Sequence, residues 1–210
     1  LRKLLDSAKA NAGNNYDCIV PISGGKDSVY QLHVLVNVYG MKPLAVTFSH
    51  NWYSETGWYN LQNALQEFNV DHIMFTPNRG LVNRIANRSL GAIGDACWHC
   101  HAGIGAFPLK MAIEYDIKLV IWGESVAESS SRGTYKDPIL KFDQDYFEKV
   151  SAKVSVKNMS DDNLPLSELS AYQQPDAKSY VTAEIQGIHL GDYIFWDEER
   201  QTEFVKDSYG

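Results

Sequence analysis

The residues in this sequence with the clearest chemical potential form a short run that contains two glycines. It reads Ser-Gly-Gly-Lys-Asp-Ser at residues 23–28 and follows an apolar segment. Glycines allow the backbone to curl and to bring its N–H groups close to phosphate oxygens. The hydroxyls of Ser23 and Ser28 add donors, and Lys26 adds a positive charge. The run therefore predicts a loop that grips the phosphates of a nucleotide.

Asp27 does not suit a phosphate grip by itself, because a carboxylate and a phosphate repel each other. A cation between them removes the repulsion, and Mg²⁺ is an ion that pairs carboxylates with phosphates. We therefore predict that Asp27 binds Mg²⁺ and that Lys26 and Asp27 act in catalysis. The run is not a Walker A loop, which has a glycine where this chain has Val20. The alternative interpretation is a plain glycine turn between a strand and a helix.

The segments around this loop alternate between strand and helix patterns. Apolar runs of strand length occupy residues 16–22, 43–49, 71–77 and 118–123, with helical spacing of apolar residues between them. Four strands that alternate with helices predict an α/β fold with a parallel sheet. Residues 99–115 also have a helical pattern, which we expect Pro108 to kink or restart.

Parallel sheets bind ligands at the carboxyl ends of their strands. This rule selects the loop and also Gly123 and Glu124, which follow the fourth predicted strand. We divide the chain into a nucleotide-binding core over residues 1–126 and a less regular extension over residues 127–210. The extension is expected to complete the substrate side, with a mobile loop near residues 127–136, and residues 187–196 to be a strand or an extended segment.

A second candidate site is the pair Cys97 and Cys100, which have the spacing of a metal-binding knuckle. A closed zinc site needs four ligands, and Cys18 is poorly placed because it lies inside the first predicted strand. Three interpretations remain open. The pair binds zinc together with cysteines of a further N-terminal segment, or it holds an iron–sulfur cluster, or it consists of two unligated thiols beside the active site.

The composition narrows the range of partners. The net charge is −7 and the pI is near 5.3, which argues against binding along a nucleic-acid backbone. No apolar run approaches the ~20 residues that cross a bilayer, so we expect no membrane partner. Three cysteines do not make a disulfide framework, and we expect a cytoplasmic protein. A homo-oligomer is compatible with these features.

Residues 16–28, YDCIVPISGGKDS, resemble the PP-loop ATP pyrophosphatases, also called the adenine nucleotide alpha-hydrolase-like superfamily. The resemblance implies a Rossmann-type parallel sheet of about five strands with helices on both faces. It also implies that ATP is cleaved between its alpha and beta phosphates and that AMP moves onto a substrate oxygen. The nucleotide-binding residues implied are Pro21, Ser23, Gly24, Gly25, Lys26, Asp27, Ser28, Thr47, Phe48, Ser49, Gly123 and Glu124.

Several longer segments are similar to the N-acetyl sugar amidotransferases of surface-polysaccharide (lipopolysaccharide, O-antigen) biosynthesis. They are residues 40–47, 97–101, 107–112, 121–125 and 187–193. This resemblance implies that a nucleotide-linked N-acetyl sugar is adenylated on its acetamido oxygen and that ammonia then displaces AMP. It also implies an ammonia-supplying glutaminase with a cyclase-like companion. Two alternatives stay open: an iron–sulfur-dependent tRNA sulfur transferase of the same superfamily, and a nucleotide-binding module without turnover.

Overall fold

Five strands form a single sheet in the computed structural model, which describes residues 1–123 and 152–210. They are β1 (Cys18–Pro21), β2 (Pro43–Phe48), β3 (Asp71–Phe75), β4 (Leu119–Trp122) and β5 (Gln186–His189). Their order in the sheet is β3-β2-β1-β4-β5, and every neighbouring pair is parallel. The predicted fold class, a parallel α/β sheet of about five strands, is confirmed.

Five α-helices precede β4 in the chain. They are α1 (Arg2–Ala12), α2 (Lys26–Leu32), α3 (Glu55–Glu67), α4 (Arg79–Ile93) and α5 (Trp98–Glu114), and a π-helical segment, His33–Val38, continues α2. The second half contributes α6 (Val156–Met159), α7 (Ala177–Thr182) and α8 (Glu198–Tyr209), with 3₁₀ turns at Leu166–Tyr172 and Leu190–Asp192. Among the residues described, no helix combines the length and the apolar character needed to cross a membrane.

Each face of the sheet packs against its own set of helices. In β1 the side chain of Ile19 joins one buried cluster, whereas Cys18 and Val20 join the other. This alternation follows from the two-residue period of a strand. The Ile19 cluster includes residues of α4 and α5, and the opposite cluster includes residues of α1, α2 and α3. Because both faces are covered, β1 and β2 are almost continuously buried.

Helix α5 continues without a break through Pro108, so the restart predicted at this residue is wrong. Proline has no backbone N–H, which leaves the carbonyl of Ile104, four residues earlier, without its helical partner. Ile104 lies on an exposed part of the helix, where that carbonyl is accessible. Most of the remaining helix is buried, and this packing offsets the missing hydrogen bond.

The fifth strand comes from the C-terminal part of the chain. β5 runs beside β4, with Leu119 opposite Gln186 and Trp122 opposite His189. The strand predicted near residues 187–196 is therefore present in its first residues and gives way to a 3₁₀ turn. Both parts of the predicted division supply strands to one sheet, and the division itself stays a prediction. The predicted mobile loop at residues 127–136 lies outside the described residues.

Candidate active site

A cleft opens at the carboxyl ends of β1, β2 and β4, with a volume of about 200 Å³. It lies where the strand order reverses, because β2 is on one side of β1 and β4 is on the other. Parallel sheets bind ligands at this kind of position. The structure brings eight of the sequence-predicted residues together around the cleft: Pro21, Ser23, Gly25, Asp27, Ser28, Thr47, Phe48 and Gly123.

Three of the remaining predicted residues, Gly24, Lys26 and Ser49, do not line the cleft. Gly24 and Lys26 line a separate hollow on the other side of the loop, between α3 and α8. Ser49 is buried, and its hydroxyl accepts a hydrogen bond from the Asn51 N–H. Glu124 lies outside the described residues. Most of the predicted residues that line the cleft therefore come from the end of β1, the start of α2 and the end of β2.

Gly24 shapes the loop through its backbone. Its φ angle is +82°, in the left-handed region that favours glycine. A Cβ at this position would lie 2.6 Å from the backbone nitrogen of Leu61 in α3. Both the backbone conformation and the close approach to α3 therefore require a residue without a side chain. The glycine is needed for the shape of the loop, although it does not line the cleft.

The two loop serines hold the backbone N–H groups together. The N–H groups of Ser23 and Gly24 both donate to the Ser28 hydroxyl, at 3.4 and 3.2 Å. The Ser28 hydroxyl in turn donates to the Gly25 carbonyl at 2.9 Å, and the Gly25 N–H donates to the Ser23 hydroxyl at 3.3 Å. These bonds fix the backbone of the loop at the start of α2, and the N-terminal end of a helix favours negative charge.

The charged residues of the loop form a close ion pair. The Lys26 ammonium lies 2.7 Å from Asp27 Oδ1, and both side chains are about one-third exposed. Asp27 lies in the first turn of α2 and also lines the cleft, so its carboxylate is available to a cation there. Magnesium binds one or two carboxylates together with substrate phosphates, and this donor set fits such an ion.

The end of β2 is tied to its neighbours by the side chain of Thr47. The Thr47 hydroxyl donates to the Ile22 carbonyl at 2.8 Å, so its oxygen accepts from His72 Nε2 at 2.9 Å. Because the hydroxyl has one proton, this arrangement requires the proton of His72 on Nε2. Burial lowers the pKa of His72, which agrees with a neutral ring. The strand end is thereby held in place beside the loop.

Sequence reasoning missed several residues of the cleft. They are Ile22, Gln31, Val46, His50, Tyr53, Ile104, Pro108 and Trp122. Gln31 was predictable in principle, because it lies one helical turn after Asp27 and thus on the same face of α2. The rings of His50 and Tyr53 stack with centroids 4.3 Å apart, but no sequence pattern indicates this pairing. Ile104 and Pro108 reach the cleft only through the packing of α5.

The Cys97–His101 segment, which we call the cysteine turn, begins α5 beside the cleft. Cys97 is exposed, and its N–H donates to Asp95 Oδ1 at 2.7 Å. Burial, followed by the nearby Cys97 and Asp95, raises the pKa of Cys100 to about 11, so this thiol is protonated at neutral pH. His99 is fully buried, with Nε2 3.4 Å from the carbonyl of His50.

Within residues 1–123 and 152–210, no group of three or more His, Cys, Asp or Glu side chains is arranged to hold a metal ion. The described residues thus supply at most the two cysteines, which do not complete a zinc or iron–sulfur site. The metal predicted at Cys97 and Cys100 stays a prediction. Cys18 is buried in β1 and burial raises the pKa of its thiol, in line with its predicted exclusion from the site.

Comparison with solved structures identifies the fold. The U34-tRNA thiolase from Methanococcus maripaludis, solved with its 4Fe–4S cluster, matches with a TM-score of 0.51 and 12% identity. The match covers 100% of this chain and 65% of the thiolase chain, so this chain spans less than two thirds of that protein. At this level of identity the likeness establishes a shared architecture.

Two further structures give weaker matches. NMN synthetase from Francisella tularensis has a TM-score of 0.46 and 15% identity, covering 98% of this chain and 83% of its own. NH3-dependent NAD synthetase from Campylobacter jejuni has a TM-score of 0.46 and 11% identity, covering 63% and 59%. No protein-family model matches the sequence, and no curated protein matches it.

Proposed function

We propose that the protein is an ATP-dependent, AMP-forming amidotransferase that acts on a nucleotide-linked N-acetyl sugar. The observation that carries the proposal is the cleft at the ends of β1, β2 and β4, which contains the loop hydroxyls and the Asp27 carboxylate. The positive end of the α2 dipole suits the negative charge that develops as pyrophosphate leaves. The Lys26 ammonium, which pairs with Asp27, adds positive charge beside that position.

The chemistry explains why ATP would be consumed. The acetamido oxygen of the sugar is a poor leaving group, whereas AMP is a good one. Attack of that oxygen on the alpha phosphate forms a new P–O bond and releases pyrophosphate. Ammonia then adds to the activated carbon, and AMP leaves with the C–O electron pair to give an acetamidino group. Magnesium, which Asp27 would hold, supplies charge neutralisation for the phosphates when it is bound.

Adenine is assigned to the side of the cleft formed by β1 and β2. Pro21, Ile22, Thr47 and Phe48 line this side, and backbone groups at strand ends provide donors and acceptors for a base. The opposite side, formed by Gly123 and by Pro108 of α5, is assigned to the sugar.

A glutaminase with a cyclase-like companion is the proposed source of ammonia, and surface-polysaccharide biosynthesis, including that of O-antigen, is the proposed setting.

The test is the release of pyrophosphate by the purified protein with ATP, Mg²⁺, ammonium chloride and a panel of UDP-linked N-acetyl sugars. We expect release that requires both a sugar and ammonia, together with a product one mass unit lighter that contains an acetamidino group. Release that needs neither, or no release with any sugar, contradicts the proposal. Release with sugar alone indicates adenylation without transfer.

The iron–sulfur-dependent tRNA sulfur transferase is the second candidate. It shares the fold of the thiolase structure, and Cys100 interacts electrostatically with Tyr53, a residue that lines the cleft. A protein prepared without oxygen that absorbs in the visible range and binds tRNA would favour it over the amidotransferase. Colourless protein with sugar-dependent pyrophosphate release favours the first proposal.

A further inference from the structure

One polar residue at the cleft has no role in the chemistry described above. Gln31 lies on α2, one helical turn after Asp27, and is 1% exposed. It nevertheless lines the cleft. Its side chain therefore lies at the boundary between the buried core and the space for a ligand. Buried amides normally have hydrogen-bond partners for both the nitrogen and the oxygen.

One end of the Gln31 amide is fixed by the sheet. Nε2 donates to the backbone carbonyl of Ile121 in β4. Only the NH₂ end of the amide can donate to a carbonyl, so Oε1 must form the other end of the group. Among the residues that the structure describes, none donates a hydrogen bond to this oxygen. The side chain therefore presents a single acceptor whose orientation is set by β4.

The position of Oε1 is defined by Gly123 at the end of β4. A Cβ on Gly123 would lie 3.2 Å from Gln31 Oε1, 3.5 Å from the Asp27 carbonyl oxygen and 3.5 Å from the Trp196 ring. Gly123 also lines the cleft. The acceptor thus lies close to the α2 backbone at Asp27, on the β4 side, and a side chain at residue 123 would crowd it.

We propose that Gln31 Oε1 forms a binding subsite for the nitrogen nucleophile, which is ammonia in the reaction above. This inference rests on the proposed function, because the reaction defines the nucleophile. Adenine is assigned to the β1–β2 side of the cleft and the sugar to the side formed by Gly123, so the acceptor lies on the side where the adenylated carbon would be. Because Gln31 is almost fully buried, the group that reaches it must be small and must donate a hydrogen bond.

A neutral acceptor suits ammonia better than a carboxylate does. Oε1 accepts one N–H of NH₃ and leaves the nitrogen lone pair for attack, whereas a carboxylate favours NH₄⁺, which has no lone pair. The lone pair forms the new C–N bond, and the C–O bond to AMP breaks with its electrons going to AMP. Adenylation releases the amide proton of the sugar to solvent, and all three ammonia protons then stay with the amidinium product, one of them moving to the sugar nitrogen.

The test compares Gln31→Met with wild type in the pyrophosphate assay, with ammonium chloride and ATP varied separately at constant pH. Methionine has a similar size but lacks the acceptor. We expect the KM for ammonia to rise about tenfold, the loss of one hydrogen bond, with the KM for ATP within twofold of wild type. Gln66→Met, an exposed position on α3, is the matched control and should change neither.

A second variant tests the role of Gln31 Oε1 by changing a neighbouring residue that is not part of α2. Gly123→Ala places a methyl group against Oε1 while leaving the Ile121 bond intact, and we expect the same selective rise in the KM for ammonia. If the wild type is active and Gly123→Ala has an unchanged KM for ammonia, the inference about Gln31 is overturned while the proposed function stands. A parallel rise in the KM for ATP in both variants also overturns it, because Gln31 then acts only in packing. Inactive wild type overturns the proposed function and this inference with it.

Discussion

The phosphate loop at residues 23–28 and the cysteine turn at Cys97–His101 both begin a helix beside the same cleft, yet they are built differently. In the loop, the Ser23 and Ser28 hydroxyls bond backbone groups no more than five residues away. In the cysteine turn, the side chains that resemble metal ligands differ in exposure. Cys97 is exposed, whereas His99 is buried against the carbonyl of His50.

This difference shows what short motifs can specify. A glycine loop carries most of its own geometry, because its donors are backbone groups and the hydroxyls that organise them are close in sequence. A pair of cysteines supplies only two ligands, and a metal site also needs ligands from elsewhere in the fold. The same spacing argument therefore predicts the loop well and leaves the cysteine turn undecided.

The largest effect is expected from Gly24→Ala, which disturbs the backbone conformation of the loop. The variant combines a strained left-handed backbone with a contact against the α3 backbone at Leu61, and we expect a loss of about 3 kcal/mol in the free energy of unfolding. Urea denaturation provides the measurement. Gly94→Ala is the matched control, since its φ of +71° and ψ of 16° are also left-handed but no atom lies within 4 Å of the added Cβ. It should lose only about 1 kcal/mol; equal losses would show that contact with α3 is unimportant.

The next effect concerns the charge that the loop presents to the cleft. Asp27→Asn removes the carboxylate beside Lys26, and we expect pyrophosphate release to fall at least about 100-fold, because the metal-binding charge is lost. The unfolding transition should stay close to that of wild type. Asp116→Asn changes an exposed carboxylate that pairs with Lys118, and this control should keep full activity. Unchanged turnover in Asp27→Asn would remove the proposed metal role.

A smaller effect, dependent on pH, is expected in the cysteine turn. Burial lowers the pKa of His99 from its ordinary value of 6.5, so below pH 6.5 the unfolded chain binds a proton more readily than the folded one. Stability is therefore lost as the pH falls, by at most about 1.4 kcal/mol per pH unit for one proton. His99→Gln should reduce this acid loss when urea unfolding is compared at pH 8 and pH 5.5. An identical pH dependence in the variant contradicts the assignment.

The smallest effect is expected when both thiols of the cysteine turn are replaced. If the two thiols bind no metal, the double variant Cys97→Ser/Cys100→Ser should change the free energy of unfolding by less than about 1 kcal/mol. It should also preserve pyrophosphate release. Metal analysis of wild type and variant completes the experiment. Loss of bound zinc together with a large loss of stability would show instead a structural metal site. Loss of activity with normal stability and loss of visible absorbance would show a catalytic cluster.

Much of the fold was predictable from the chain alone. Helix α3 begins after Ser54, whose hydroxyl accepts from the Gly57 N–H, and serine is a residue type that commonly caps a helix. The strands β1, β2 and β4 followed from their apolar runs, since buried parallel strands lack polar alternation. The continuity of α5 through Pro108 was not predictable, because proline propensity is local and the burial that overrides it is a property of the packed molecule.

The sequence by itself determined the alternation of strands and helices and the hydrogen bonds within the phosphate loop, because both depend on residues close in the chain. The tertiary structure decided the rest. It placed β5 beside β4, although Leu119 and Gln186 are far apart in sequence. It turned Lys26 away from the cleft wall and brought Gln31 to it. These outcomes depend on which apolar faces are buried together, and burial is decided only when the whole sheet is packed.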